Sequence, residues 1–132
     1  MINIDTITNK INAVTGCAVH FGDVDVSPDE YPVLRIMPDG DIPFFVLTQK
    51  GSTVTYQWTL QIIVARKNER EAIRMFEELM KNINSLEPET GIVTSDRRAL
   101  DEVSGTATTE YTANEYIISL PLQIKDILNK EN

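Results

Sequence analysis

Residues 53–66, TVTYQWTLQIIVAR, run almost directly into residues 68–84, NEREAIRMFEELMKNIN, and the change of period between these two stretches decides the fold. In the first, Val54, Tyr56, Trp58, Leu60, Ile62 and Val64 fall on one face, and Thr53, Thr55, Gln57, Thr59 and Gln61 on the other. That is the alternation of a strand with one buried side. At about 3.3 Å per residue, residues 53–65 extend over roughly 40 Å, about twice the usual strand length. Such a strand outruns a small domain: either it bends, or with residues 44–48 it forms a hairpin that projects as an arm needing a partner. In the second stretch Ala72, Ile73, Phe76, Leu79, Met80 and Ile83 recur at helical spacing. Asn68, with Glu71 three residues on, has the capping-box pattern. Arg70, Arg74, Glu77, Glu78 and Lys81 occupy the opposite face, with Arg74–Glu78 and Glu77–Lys81 one turn apart. The spacing predicts a sheet-covering helix ending near Asn84, before Pro88.

Outward from this pair, Ile4, Ile7, Ile11 and Val14 predict an amphipathic helix over 5–14, with Asp5 as N-cap and Gly16 as the C-terminal stop. Residues 17–30 collect Asp23, Asp25, Asp29 and Glu30 around Pro28 and read as a loop with at most a short strand. Residues 31–37 are strand-like, with Pro32 marking an edge or strand start because it has no N–H for the ladder. Residues 38–41, PDGD, are a turn signal, 44–48 a strand, and 49–52 a loop. Residues 91–114 lose periodicity and read mostly as a loop. In 115–125, Tyr116, Ile118, Leu120, Leu122 and Ile124 alternate on one face of a last strand, Pro121 marks an edge or bulge, and 126–132 read as a polar tail. The expected fold is a single α+β domain over residues 1–132: one twisted, largely antiparallel or mixed sheet, two helices packed on one face, and a long projecting hairpin.

Composition bounds the function. With 132 residues and 42% hydrophobic content, the chain can bury roughly two-thirds of its unfolded surface, enough for a core without disulfide or metal staples. Twelve Lys and Arg against 20 Asp and Glu give a net charge of −8, which disfavours a basic nucleic-acid or anionic-membrane surface and favours solubility. Cys17 is the one cysteine and excludes an internal disulfide. The first residues lack the basic and apolar blocks of a signal peptide, so the expectation is a protein cytosolic at synthesis.

The chemical motifs fall short. Cys17 and His20 have a C-x-x-H spacing, but structural zinc needs four ligands and the chain has no second Cys or His. Against a calcium loop, residues 23–34 fail at the sixth position, Pro28, and at the twelfth, Leu34. No phosphate-cradling glycine loop and no nucleophile elbow occurs. Neither an enzyme activity nor a cofactor or metal is therefore expected. Trp58 and Tyr56 read as core. Phe44 and Phe45 are adjacent in a strand and point to opposite faces, so at least one leaves the core and is a candidate for a subunit contact.

The order helix, "YPVLRIMPDG", long strand, immediate helix "NEREAIRMFEELMKNIN", polar loop and final strand "NEYIISLPLQIK" resembles the small tail terminator and tail-completion (head–tail joining) proteins of long-tailed bacteriophages. The resemblance implies a structural virion-assembly protein. Such a protein forms a ring, usually a hexamer, on the head-proximal end of the tail; it ends tube polymerisation and contacts the tail tube protein and a head completion protein. It would be assembled in the host cytoplasm, with DNA passing through without specific binding. A closed ring requires a heterologous interface. On this reading the subunit or tube interface candidates are Phe44, Phe45, Gln49, Lys50, Thr53, Thr55 and Gln57, and the docking-loop candidates are Asp96, Arg97 and Arg98. A minor tail or head–tail adaptor role fits the same layout. The alternative from another class is a small-ligand-binding or enzymatic α+β domain with its site in residues 17–30.

Overall fold

The computed structural model describes residues 3–47, 49–82 and 105–129. The chain forms α1 (Ile4–Thr15), β1 (Val19–Phe21), a 3₁₀ turn (Pro28–Glu30), β2 (Val33–Met37), β3 (Phe44–Leu47), β4 (Gly51–Ala65), α2 (Glu69–Lys81), β5 (Thr108–Tyr111) and β6 (Glu115–Asn129). The mixed sheet has the order β1-β2-β4-β6-β5, with β3 added on β4; β1 and β2 are parallel and every other pair is antiparallel. This is the expected α+β architecture.

Register explains the core. Cross-strand rows Val19–Leu34–Ile62–Ile118 and Phe21–Ile36–Leu60–Leu120 place the alternating apolar residues of four strands on one face. Ile7 and Ile11 of α1 and Ala72, Met75 and Leu79 of α2 pack on that face in one buried cluster. Trp58 closes the row, its ring 5.1 Å from those of both Phe21 and Tyr56. A second, small cluster, Val33, Ile63 and Ile117 with Val26 and Tyr31 against it, lies on the reverse face. Its signal in the sequence is the break in alternation at Ile62-Ile63, two apolar neighbours that must point to opposite sides.

Several local expectations need correction. The cap of α1 is Asn3, whose Oδ1 accepts the Thr6 N–H at 3.1 Å, and Asp5 lies inside the first turn. Gly16 does end the helix, with φ +73° and its N–H on the Asn12 carbonyl at 2.7 Å. Asn68 occupies the N-cap of α2 but makes no side-chain capping bond. The helix buries Ala72, Met75 and Leu79 and leaves Ile73 and Met80 exposed, because the sheet fits the narrower 72–75–79 stripe. Lys81 pairs with Glu78 at 3.5 Å instead of Glu77. Strand β6 continues to Asn129, so 126–129 are strand and not tail, and 108–111 form β5 where a loop was expected.

The long strand does not bend away from its partner. Strands β4 and β6 pair from Gly51–Asn129 to Ala65–Glu115. On the other edge of β4, β2 takes residues 59–63 and β3 takes residues 51–54. The connection between them follows the edge: Thr55 N–H donates to the Pro43 carbonyl at 2.9 Å, and Gly40, at φ +92°, lies where a Cβ would stand 2.6 Å from the Gln57 carbonyl oxygen. The arm is thus a ribbon of three strands, β3-β4-β6, where a two-stranded hairpin was expected.

Candidate functional site

The buried core reaches Trp58 on β4 and Ile124 on β6, and the arm beyond it carries, on one strand, the three most exposed large apolar side chains among the described residues. Phe44 is 73% exposed, Phe45 62% and Val46 56%. At about 200 Å² per phenylalanine side chain, the rings leave roughly 150 and 120 Å² of apolar surface in water, one on each face of the arm. Alternation puts Phe45 with Thr53 on the helix-free face and Phe44 with Val54 on the helix-bearing face.

Among the described residues, the backbone of the arm also has unpaired edges. The Thr55–Pro43 bond and the β3 register make Phe45 and Leu47 the residues bonded to β4, so the N–H and C=O groups of Phe44 and Val46 point off the open edge. The same alternation applies to β6. Arg66 N–H donates to the Asn114 carbonyl and Thr112 N–H to the Glu115 carbonyl, which sets the even-numbered residues of β6 against β4 and the odd-numbered ones away from it. Pro121 therefore sits where its missing N–H faces off the sheet, the one side on which proline costs no ladder bond. Strand β5 ends its pairing at Ser119.

Of the expected interface residues, Phe45, Thr53, Thr55 and Gln57 share the helix-free face, Phe44 lies on the other, and Gln49 and Lys50 are exposed in the turn at the tip. At the base of that face Gln57, Thr59, Thr106, Thr108, Ser119 and Pro121 line a shallow depression of about 310 Å³. Asp96, Arg97 and Arg98 lie outside the described residues. The sequence reading missed Ile42, Val46 and Leu128, all exposed; Val46 was legible as the third apolar residue of the run 44–47. It also missed Tyr111, exposed at the other end of the sheet, with the Arg66 guanidinium 5.2 Å from its ring centroid and its hydroxyl donating to Glu69 at 3.2 Å.

Residues 17–30, the alternative site, divide between the two faces. The Cys17 sulfur contacts Met75 at 3.5 Å on the core side; burial first, and then the Glu71 charge, push its thiol up from the ordinary value, away from nucleophilic thiolate. His20 turns to the reverse face, its Nε2 3.0 Å from Glu30 Oε1. The Ser27 backbone N–H, at 2.8 Å, and then His20 hold the Glu30 carboxyl below the usual range. Beside them Arg35 donates to Gln61 Oε1 at 2.9 and 2.7 Å and to the Val24 carbonyl at 2.9 Å. Among the described residues, no three His, Cys, Asp or Glu side chains gather as a metal site, and no helix is long and apolar enough to cross a membrane. A scan of the chain against known protein families and a search of curated proteins find no match.

Proposed function

We propose that this chain is a structural assembly protein whose copies form a closed ring that caps a phage tail tube and joins it to the head. One observation carries the reading: an uncharged strand edge, Phe44–Leu47, stands on an arm beyond the helix-covered core with both phenylalanines exposed. Soluble monomers blunt such edges with charge, proline or cover, and an edge left open is a template for another chain. On this reading the polar face of Thr53, Thr55, Gln57 and Thr59 lines the lumen, where it offers passing DNA hydrogen bonds without fixed cations. Phe45, towards the tip of that face, meets the tube.

Light scattering over a range of concentrations tests the ring, and added protein should stop elongation of tail tubes in vitro. Phe45→Glu is expected to leave the melting temperature within a few degrees of wild type and to abolish capping. A chain that stays strictly monomeric and does not affect tube length would overturn the proposal. An adaptor role predicts head joining with tube length unaffected.

A further inference from the structure

We propose that the ring is joined edge to edge: β3 of one copy pairs in parallel with residues 123–129 of β6 in the next, so that the three-stranded arms close into one continuous barrel. The inference rests on the ring reading for closure alone; the pairing itself is argued from the strands. In each arm β3 and β6 are both antiparallel to β4, and so run in the same direction. They also lie at the same height, since Phe44 stands opposite Val54 and Val54 opposite Asp126, while Leu47, Gly51 and Asn129 share the last row. Among the described residues, β3 and residues 123–129 each have β4 as their one ladder partner. A rotation about an axis along the arm therefore brings the open edge of β3 beside the open edge of the neighbour's β6, with strand directions matched.

The backbone groups match as well. Phe44 and Val46 direct their N–H and C=O groups off one edge, and the odd-numbered residues Gln123, Lys125 and Ile127 direct theirs off the other. One operation then satisfies both edges of every copy. A two-fold pairing of β3 with β3 would leave the β6 edge of each copy open. Phe44 and Val46 would lie on the same face as Asp126 and the exposed Leu128 of the neighbour, so that the junction is apolar towards the tip, at Leu128. Pro121 ends the seam, because β6 offers no donor at that position. Six copies would close roughly eighteen strands, a size at which barrels enclose an aqueous channel.

The test uses the full chain with Cys17→Ser, checked by its melting curve. Val46→Cys is combined in turn with Asp126→Cys and with Leu128→Cys, and each protein is oxidised and run without reductant. The expected result is a ladder of covalent oligomers ending at the ring size for at least one pair, and monomer for each single variant. In the native-cysteine background Val46→Pro removes an N–H that has no bond among the described residues. It should remain folded and need roughly fivefold more protein to assemble, the cost of one edge bond per junction. Cross-linked dimers from Val46→Cys alone would establish two-fold pairing and overturn the proposal. Rings that form without either cross-link and persist in Val46→Pro would overturn the edge pairing and leave the ring reading standing. Cross-linked rings that do not cap tubes would keep the edge pairing and overturn the tail-capping function.

Discussion

Tyr31 and Glu115 are 84 positions apart in the chain, and their side chains fasten the entry of β2 to the start of β6. The tyrosine hydroxyl donates to one carboxylate oxygen, and Thr112 Oγ1 donates to the other at 3.3 Å. Burial, and then the Glu115 carboxylate, push the Tyr31 hydroxyl up to about 12 from an ordinary value of 10. A group whose pKa is raised on folding contributes its full stability below the unfolded value and loses it as pH rises towards the folded one. Tyr31→Phe should therefore cost about 1 kcal/mol at neutral pH, and the gap from wild type should close between about pH 10 and 12 in urea titrations. A gap constant across that range would mean that the hydroxyl bond is not what the substitution removes. Gly40 is a second site where one residue sets the backbone. Alanine there meets both a left-handed φ and the Gln57 carbonyl at 2.6 Å, so Gly40→Ala should destabilise by about 2 kcal/mol or more in the same assay.

Helix α2 shows how far periodicity carries at the level of the element. The expected stripe had the correct centre, Ala72 and Leu79, yet admitted Ile73 and Met80 and passed over Met75. All five side chains are apolar within one helical period, and only the sheet decides which third of the circumference is covered. Leu79→Ala should cost about 2–5 kcal/mol by denaturant midpoint, and Ile73→Ala no more than about 0.5. Equal costs would place Ile73 in the core. The strands were more legible, because period 2 allows two faces and β4 offered a polar and an apolar one. The long ladder was not: residues 126–129 carry a weak alternation and become strand because β4 pairs with them along their whole length. The cap of α1 was misread for a related reason, since Asn3 and Asp5 are both good caps and the burial of Ile7 and Ile11 selects between them. Within the candidate site, the exposure of the phenylalanine pair was half legible. Alternation required one ring to leave the core, and the loss of the other follows from β3 lying beyond the reach of either helix, a fact of tertiary placement.

At the scale of the whole molecule, charge sets how the proposed assembly should respond to salt. Each copy carries a net charge of −8, and the strand proposed to make the junction, Phe44–Leu47, carries none. In the proposed ring, neighbouring subunits would repel one another through their bodies, while the seam would be held by backbone hydrogen bonds and the apolar side chains of β3, its other strand carrying one Lys and one Asp that cancel. Salt screens the first effect over a Debye length of about 8 Å at 0.15 M and about 30 Å at 0.01 M, and leaves the second nearly untouched. Assembly should accordingly tighten as sodium chloride rises from about 0.01 to 0.3 M, with the midpoint concentration for ring formation falling. Salt-bridged interfaces respond in the opposite sense, because screening weakens attraction between unlike charges. Sedimentation at three salt concentrations decides between them. A midpoint that rises with salt would shift the junction from the uncharged edge of the arm to a charged surface, such as the Arg66–Tyr111–Glu69 cluster at the far end of the sheet. A midpoint that falls, and falls equally in Arg66→Gln, would leave the arm as the contact that salt exposes.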